Sequence, residues 1–546
     1  MGSKKDKNKQ SPFLDQDPPG FFGSRVRAYK NLHGSARFAN LEDILQMDLL
    51  APLSKDPKAV PKRGVYVGGY MDGDTFRYLQ HDGPEHVLAF APTRSGKGVG
   101  LVIPTLLTWL HSTVVLDIKG ENYALTSGHR QKHLNNIVLR FDPTRPTGSV
   151  KFNPLAEIRL GTMFEVSDVQ NIAMMIVDPD GKGLNDHWAK TGYSLIVGVA
   201  LHCLYVQKKN NARIATLSDI ADCLTDPSMD IKATLEKMMM THHLDGTAHP
   251  VVARCARAML NKADAELSGV LSTATSFLTL YTDPIVAENT SYSEFSISDL
   301  MNNEKPVSLY IVIPPSDKDR LKPLVRLLVN QIVRTLCRDM DFENGASKAS
   351  YKHRLLLMLD EFPSLGKLEI FEESLAFIAG YGLKAYLICQ DVAQLEKAYS
   401  EYESITSNCH IRIAYAPNKI KTARVLSEML GETTIDHKTV SQSKGGALFA
   451  TPSYTTAMQE VKRPLMTTDE VSRLPSPLKR EGKIIAAGDM LIFVAGFPAI
   501  YGKQILYFKH DFFMKRAMIK APQTDRCDST HQEELNKRLY TKETFA

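Results

Sequence analysis

The sequence is short of long apolar runs, of cysteine and of tryptophan, and each shortage excludes something. No stretch of its 546 residues approaches the roughly 20 apolar residues of a membrane-spanning helix. The longest run, YSLIVGVALHCLYV, has 14 residues and contains His202. Seven Cys (203, 223, 255, 337, 389, 409 and 527) are scattered, odd in number and never in CxxC spacing. That argues against a disulfide framework and a zinc site, and for a reducing compartment. There are two Trp in all, and neither charge sign dominates: 66 Lys+Arg against 61 Asp+Glu leave a net +5. Composition alone therefore does not announce nucleic-acid binding.

What is present fits a soluble globular protein, 43% apolar and 23% charged. The length calls for two or three domains. The charge is unevenly spread: residues 1–38 hold eight Lys/Arg against three Asp, which accounts for the whole net charge. Such a basic leader is a solubilising tail or a segment lying against an anionic membrane face. The opening Met1-Gly2-Ser3 resembles an expression scar.

Residues 1–60 read as this leader, with a helix start in HGSARFANLEDILQMDLL. RGVYVGGYMDGDTFRYLQHDGPEHVLAFA reads as short strands joined by Asp-Gly turns. The loop FAPTRSGKGVG, a helix in VGLVIPTLLTWL and a buried strand in STVVLDIKG then make a βαβ unit. Helical periodicity dominates from about 164 to about 300. Strands return in KPVSLYIVIPP, HRLLLMLDEF, LKAYLICQD and CHIRIAYAP, with helices between them. The expected fold is α/β, a parallel sheet covered on both faces and interrupted by an all-α domain. The expected boundaries are 61–159 and 299–520 for the two parts of a nucleotide-binding domain, 160–298 for the all-α domain and 521–546 for a loosely held tail.

Ala91, Pro92, Thr93, Arg94, Ser95, Gly96, Lys97, Gly98 and Val99 are the candidate nucleotide-binding residues. In a phosphate loop, backbone N–H groups and a helix N-terminus converge on phosphate, and a Lys adds a point charge on the β/γ oxygens. Ser95, Gly96, Lys97 and Gly98 can supply all of that. Ala91 and Gly98 stand where the usual pattern has Gly and Ser/Thr. Without that hydroxyl, Mg2+ would lean on phosphate oxygens, water and acidic residues elsewhere.

A Gly-Lys-Gly loop is a weak signal by itself. RLLLMLDEF adds five apolar residues, Leu355 to Leu359, that end in Asp360 and Glu361. Alone this is a capped strand end. Below an upstream phosphate loop it is the second half of an NTPase site, with Asp360 holding Mg2+ through water and Glu361 orienting and deprotonating the attacking water. Gln390, ending AYLICQD, is a candidate sensor of the γ-phosphate or that water, or an amide capping a strand end. The three features, in this order and at strand ends, indicate an ATPase.

Other residues carry less. Asp117 either faces the same crevice or bonds the next turn. Arg412 is read as a surface salt bridge before an arginine finger for a neighbouring subunit. Trp188, beside His187, is read as a packed core residue before a partner contact, and the Met-rich stretches AMMIVD and KMMM as core.

HGSARFA, APTRSGKGVGLVIPTLL, VVLDIKGENYALTSGHR, FNPL, LLLMLDEFPSLGKL, LICQD and RPLMTTDEVSRLP together resemble the TraG-like coupling proteins of type IV secretion and conjugation systems, from about His33 to about Phe513. That family's loop commonly carries Gly after the Lys. The resemblance implies a RecA-like P-loop NTPase motor using ATP and Mg2+, with Lys97 on phosphate, Asp360 and Glu361 as the metal and water pair, and Gln390 as the strand-end glutamine. It implies a hexameric ring anchored by N-terminal helices in the bacterial inner membrane. That ring recruits a relaxase bound to single-stranded DNA, or secreted effectors, and hands them to membrane components of the secretion channel. No such anchor is read in the sequence, so the chain is expected to be a cytosolic portion, for which a monomer would be no surprise. Salt-sensitive, sequence-tolerant DNA binding is expected from Lys and Arg gathered into a pore. The alternatives are an FtsK-like double-stranded DNA translocase, whose usual winged helix has no candidate here, and a docking platform that does not hydrolyse.

Overall fold

The computed structural model describes residues 34–50, 64–338, 341–343, 346–348, 351–443 and 453–527. The expected leader is thus described only at 34–50, and the tail only as far as Cys527.

Two compact units emerge. The larger, 36–431 with 464–546, holds an eleven-stranded sheet. Its strands begin with β1 (Val65–Asp72), β2 (Thr75–His81), β3 (Val87–Phe90), β4 (Ser112–Ile118), β5 (Ile137–Phe141) and β6 (Val307–Ile313). After a short hairpin of β7 (Asp341–Glu343) and β8 (Ala346–Lys348) come β9 (Leu355–Asp360), β10 (Leu383–Cys389) and β11 (Ile411–Ala414). The smaller unit holds the paired strands β12 (Glu432–Ser443) and β13 (Ser453–Pro464), with Lys462 ion-paired to Glu432 at 2.5 Å. The larger unit resumes with a hairpin of β14 (Leu478–Arg480) and β15 (Lys483–Ala486), then β16 (Asp489–Val494) and β17 (Ile500–Lys503).

The sheet order is β2-β1-β17-β16-β11-β3-β10-β9-β4-β6-β5. From β11 to β5 every pairing is parallel, and from β16 to β2 every pairing is antiparallel. The expected parallel sheet therefore carries an antiparallel wing. Its β1–β2 turn needs only two residues, Gly73 and Asp74, with a positive φ (59°) at Gly73 alone, the pattern of a type II′ turn. The central strands are buried along their full length (Val87–Phe90, Leu355–Leu359, Leu383–Cys389), because helices cover both faces of a parallel sheet.

Between Phe141 and Val307 the described elements are helical throughout. Helix His187–Asn211 is the axis of this segment, packed by Glu165–Val177, Leu217–Thr225, Pro250–Leu260 and Asp264–Leu278. Leu195, Ile196, Val197, Val199, Ala200, Leu201 and Leu204 point in several directions and are all buried. Among the described residues this one helix is long and apolar enough to cross a membrane, contrary to the reading of a short 14-residue run, but 67% of its apolar window is buried within the protein. Polar residues inside its first and last turns, among them Lys190, Gln207 and Lys208, bound the apolar run.

The expected loose tail is tied down where it is described. Asp525 N–H donates to Val138 O (2.8 Å), Asp525 Oδ2 accepts from Val138 N–H, and Thr524 Oγ1 accepts from Arg140 N–H. These bonds cover β5, the outer strand of the sheet, whose unpaired backbone groups would otherwise be exposed.

Candidate functional site

The loop after β3 lies at the carboxyl ends of the parallel strands. Ala91 N–H donates to Cys389 O (2.8 Å), fixing the loop's first residue to the end of β10. Ala91 and Pro92 are buried, Thr93 and Arg94 are exposed, and Ser95 is buried again. Arg94 (φ 60°) and Gly96 (φ 93°) take left-handed backbone, the Arg at a conformational cost. The helix expected in VGLVIPTLLTWL follows. It opens with a π turn, Gly98–Val102, in which Ile103 N–H reaches back five residues to Gly98 O. Pro104, with no N–H, cannot complete the ordinary ladder to Gly100. Buried beneath the loop, Ser95 Oγ, Gln504 Oε1 and Tyr415 Oη have no hydrogen-bond partner among the described residues.

Asp360 and Glu361 meet this loop. Lys97 Nζ stands 2.6 Å from Asp360 Oδ1 and 3.3 Å from Glu361 Oε1. Gln390 Nε2 lies 3.4 Å from the same Glu361 oxygen. The strand order explains the meeting. β10 lies between β3 and β9, so the loop, Gln390 and the acidic pair leave three neighbouring parallel strands at the same end. Glu361 is held in left-handed backbone (φ 57°, ψ 36°). Burial pushes Asp360 above the ordinary carboxylate range, against the pull of Lys97. Burial acts the same way on Glu361, but Lys97 and Lys318 overcome it and hold Glu361 below its usual value. Two adjacent carboxyl groups thus differ in proton affinity, as separate roles would require.

The remaining candidates divide. Asp117 accepts from Tyr123 N–H at 2.7 Å, so it bonds the turn into the next helix; burial raises it to about 6. Arg412 forms no salt bridge among the described residues, against expectation, and its buried Nε has no partner. Trp188 is 43% exposed rather than packed in the core; its ring lies across Gly269, where a Cβ would come within 2.5 Å. Met238 is buried, whereas Met174 and Met240 are exposed. Lys318, 3.4 Å from Glu361 Oε2, was missed. Its one signal was a cation opening the helix after β6, at the same carboxyl end of the parallel strands.

The residues suit a triphosphate and its metal: buried Ser95 Oγ lacks a partner, Lys97 is within reach of both carboxylates, and Asp360 offers the hard oxygen that Mg2+ prefers. A phosphate-type loop after one parallel strand, an acidic pair two strands away and a polar strand end between them are the layout of a RecA-like P-loop fold. The family model described as "Type IV secretory system Conjugative DNA transfer" matches residues 34–528. The chain belongs to that family, the coupling proteins of conjugative type IV secretion. It is 54% identical over 509 residues to the conjugal transfer protein TraG of Escherichia coli, covering 91% of this chain and 80% of that one. The fold is similar to that of the bacterial conjugative coupling protein TrwBΔN70 in its unbound form (TM-score 0.59, 19% identity, 89% of this chain and 95% of that one). It is likewise similar to TrwB in complex with ADP and Mg2+ (TM-score 0.58, 17% identity, 89% and 96%).

Proposed function

We infer that this coupling protein is an ATP-driven motor that recruits relaxase-bound single-stranded DNA, or effector proteins, and delivers them to the secretion channel. The observation that carries this reading is the convergence of Lys97, Asp360, Glu361 and Gln390, with Lys97 bridging the two carboxylates and Gln390 reaching Glu361. Within the loop Ala91–Val99, the backbone N–H groups of Gly96 to Val99 cradle the phosphates, and Lys97 neutralises their β/γ oxygens. Asp360 would hold Mg2+ through water; when bound, the ion spreads the phosphate charge that develops during transfer. Glu361, kept ionised by its lysines, orients the attacking water and accepts its proton. Gln390 holds that water, or the γ-phosphate, against Glu361. The binding of ADP and Mg2+ by TrwB, a similar fold, supports nucleotide and metal use here.

The motor works as a homo-hexameric ring on the cytoplasmic side of the bacterial inner membrane, and the helical segment between β5 and β6 receives the substrate. Hydrolysis measured with and without single-stranded DNA, on this protein and on Lys97→Ala, tests the reading. Turnover should rise with DNA, and DNA binding should weaken steeply with salt. Lys97→Ala should abolish both turnover and transfer in cells. Transfer at the unaltered level by Lys97→Ala would leave a docking platform instead of a motor.

A further inference from the structure

Helix Lys318–Leu336 begins with a basic run that its dipole does not favour: Lys318, Arg320 and Lys322 lie in its first two turns, where anions are preferred. Each has an acidic partner. Lys318, Lys322 and Arg326 recur every four residues and so form one ridge. Along this ridge runs the chain that leaves the acidic pair. Lys318 Nζ reaches Glu361 Oε2 (3.4 Å), and Arg326 donates to Leu365 O (2.7 Å). A Cβ at Gly366 would come within 3.0 Å of Arg326 and 3.1 Å of Lys322.

The same ridge is gripped from the helical segment. Lys322 Nζ donates to Asp180 (2.9 Å), in the loop after helix Glu165–Val177. In that loop Asp178 accepts from Lys182 and Gly183 N–H, and a Cβ at Gly181 would stand 2.4 Å from Lys367 O. Arg320 adds a second tie, to Asp283 at 2.7 Å.

We propose that Lys318 is a positioning residue for Glu361, and that the helix carrying it is a relay by which a load on the helical segment resets that carboxylate. Lys97 and Gln390 both engage Oε1, leaving Oε2 to Lys318. A shift of the Asp178–Gly183 loop moves Lys322 and Lys367 together, and with them both the anchor of Glu361 and the chain that follows it. Tight packing makes such a contact respond as a unit.

This inference rests on the ATPase reading and is tested so that the two can fail separately. Lys318→Met should keep nucleotide affinity within about twofold and lose about tenfold in kcat, because a base out of place costs turnover rather than binding. Lys318→Arg should restore kcat to within about threefold. Asp180→Lys should lower kcat in the same way and speed hydrogen exchange over 361–367, and adding Lys322→Asp should reverse both. An unchanged kcat in Lys318→Met, or unchanged exchange over 361–367 in Asp180→Lys, would overturn the relay. Loss of turnover by Lys97→Ala in the same assay would keep the ATPase reading standing, and the exchange measurement reads the relay whatever the turnover.

Discussion

Lys97 Nζ lies 2.6 Å from Asp360 Oδ1, so the cation of the loop after β3 and a carboxylate at the end of β9 form one ion pair. Lys97→Ala removes the counter-charge from two adjacent carboxylates as well as the proposed phosphate contact. We expect ATP affinity to fall at least about tenfold, and stability to fall by about 1–2 kcal/mol after allowance for partial exposure. Asp360→Asn added to it should recover part of that stability and none of the affinity. Titration calorimetry and a double-mutant melting cycle check this.

The glycines of the loop differ in what they tolerate. A Cβ at Gly98 would meet nothing within 4 Å, whereas at Gly100 it would come within 2.8 Å of both Ile505 O and Tyr415 Oη. Gly98→Thr should therefore melt like the parent while placing a hydroxyl beside Lys97. Gly100→Ala should lose about 1–3 kcal/mol by overpacking. Thermal melts of the two variants separate these outcomes.

Arg130 is fully buried and, among the described residues, has no carboxylate partner. Its guanidinium donates to Ser308 Oγ, Leu106 O, Trp109 O, His111 O and Asn136 Oδ1, tying the loop's helix and the turn before β4 to β6. Arg130→Met strands three carbonyls, and Arg130→Lys cannot reproduce the planar fork. Either should cost about 3 kcal/mol or more, seen as a large drop in melting temperature.

A histidine chain crosses the helical segment. His249 N–H donates to His243 Nδ1 (3.1 Å), so His243 offers its Nε2 proton to His202 Nδ1 (2.8 Å). His249 Nδ1 accepts from Val251 N–H, and its Nε2 donates to Glu165 (3.0 Å). His202 and His243 thereby each carry a single ring proton. Burial lowers His202 and His243 to about 4 from 6.5, and repulsion from the nearby His and Lys groups opposes protonation further. The unfolded chain binds these protons first as pH falls, so the stability is intact above about 6.5 and declines toward pH 4. Melting temperatures between pH 7.5 and 4.5 should fall less steeply in His243→Gln than in the parent.

The site was largely legible because its parts are local. Lys97 announces itself by the glycines around it, and Asp360 by five apolar residues before it, since a buried strand must end where its polar residues can reach the crevice. Trp188 and Arg412 were misread because their surroundings depend on neighbours far away in sequence: Gly269 leaves a shelf for the indole, and the guanidinium Nε meets no hydrogen-bond partner among the described residues. The antiparallel wing was illegible for a like reason, since β16 and β17 join a sheet whose other strands end some 75 residues earlier.

By itself the amino-acid order determined the alternation of strand and helix, the helical insertion and the three polar strand ends, all written in patterns a few residues long. Only the tertiary structure decided that β10 threads between β3 and β9, and that Lys318 stands opposite Glu361. Strand order and ion-pair partners are chosen by the packing of whole faces, and local periodicity carries no record of that choice.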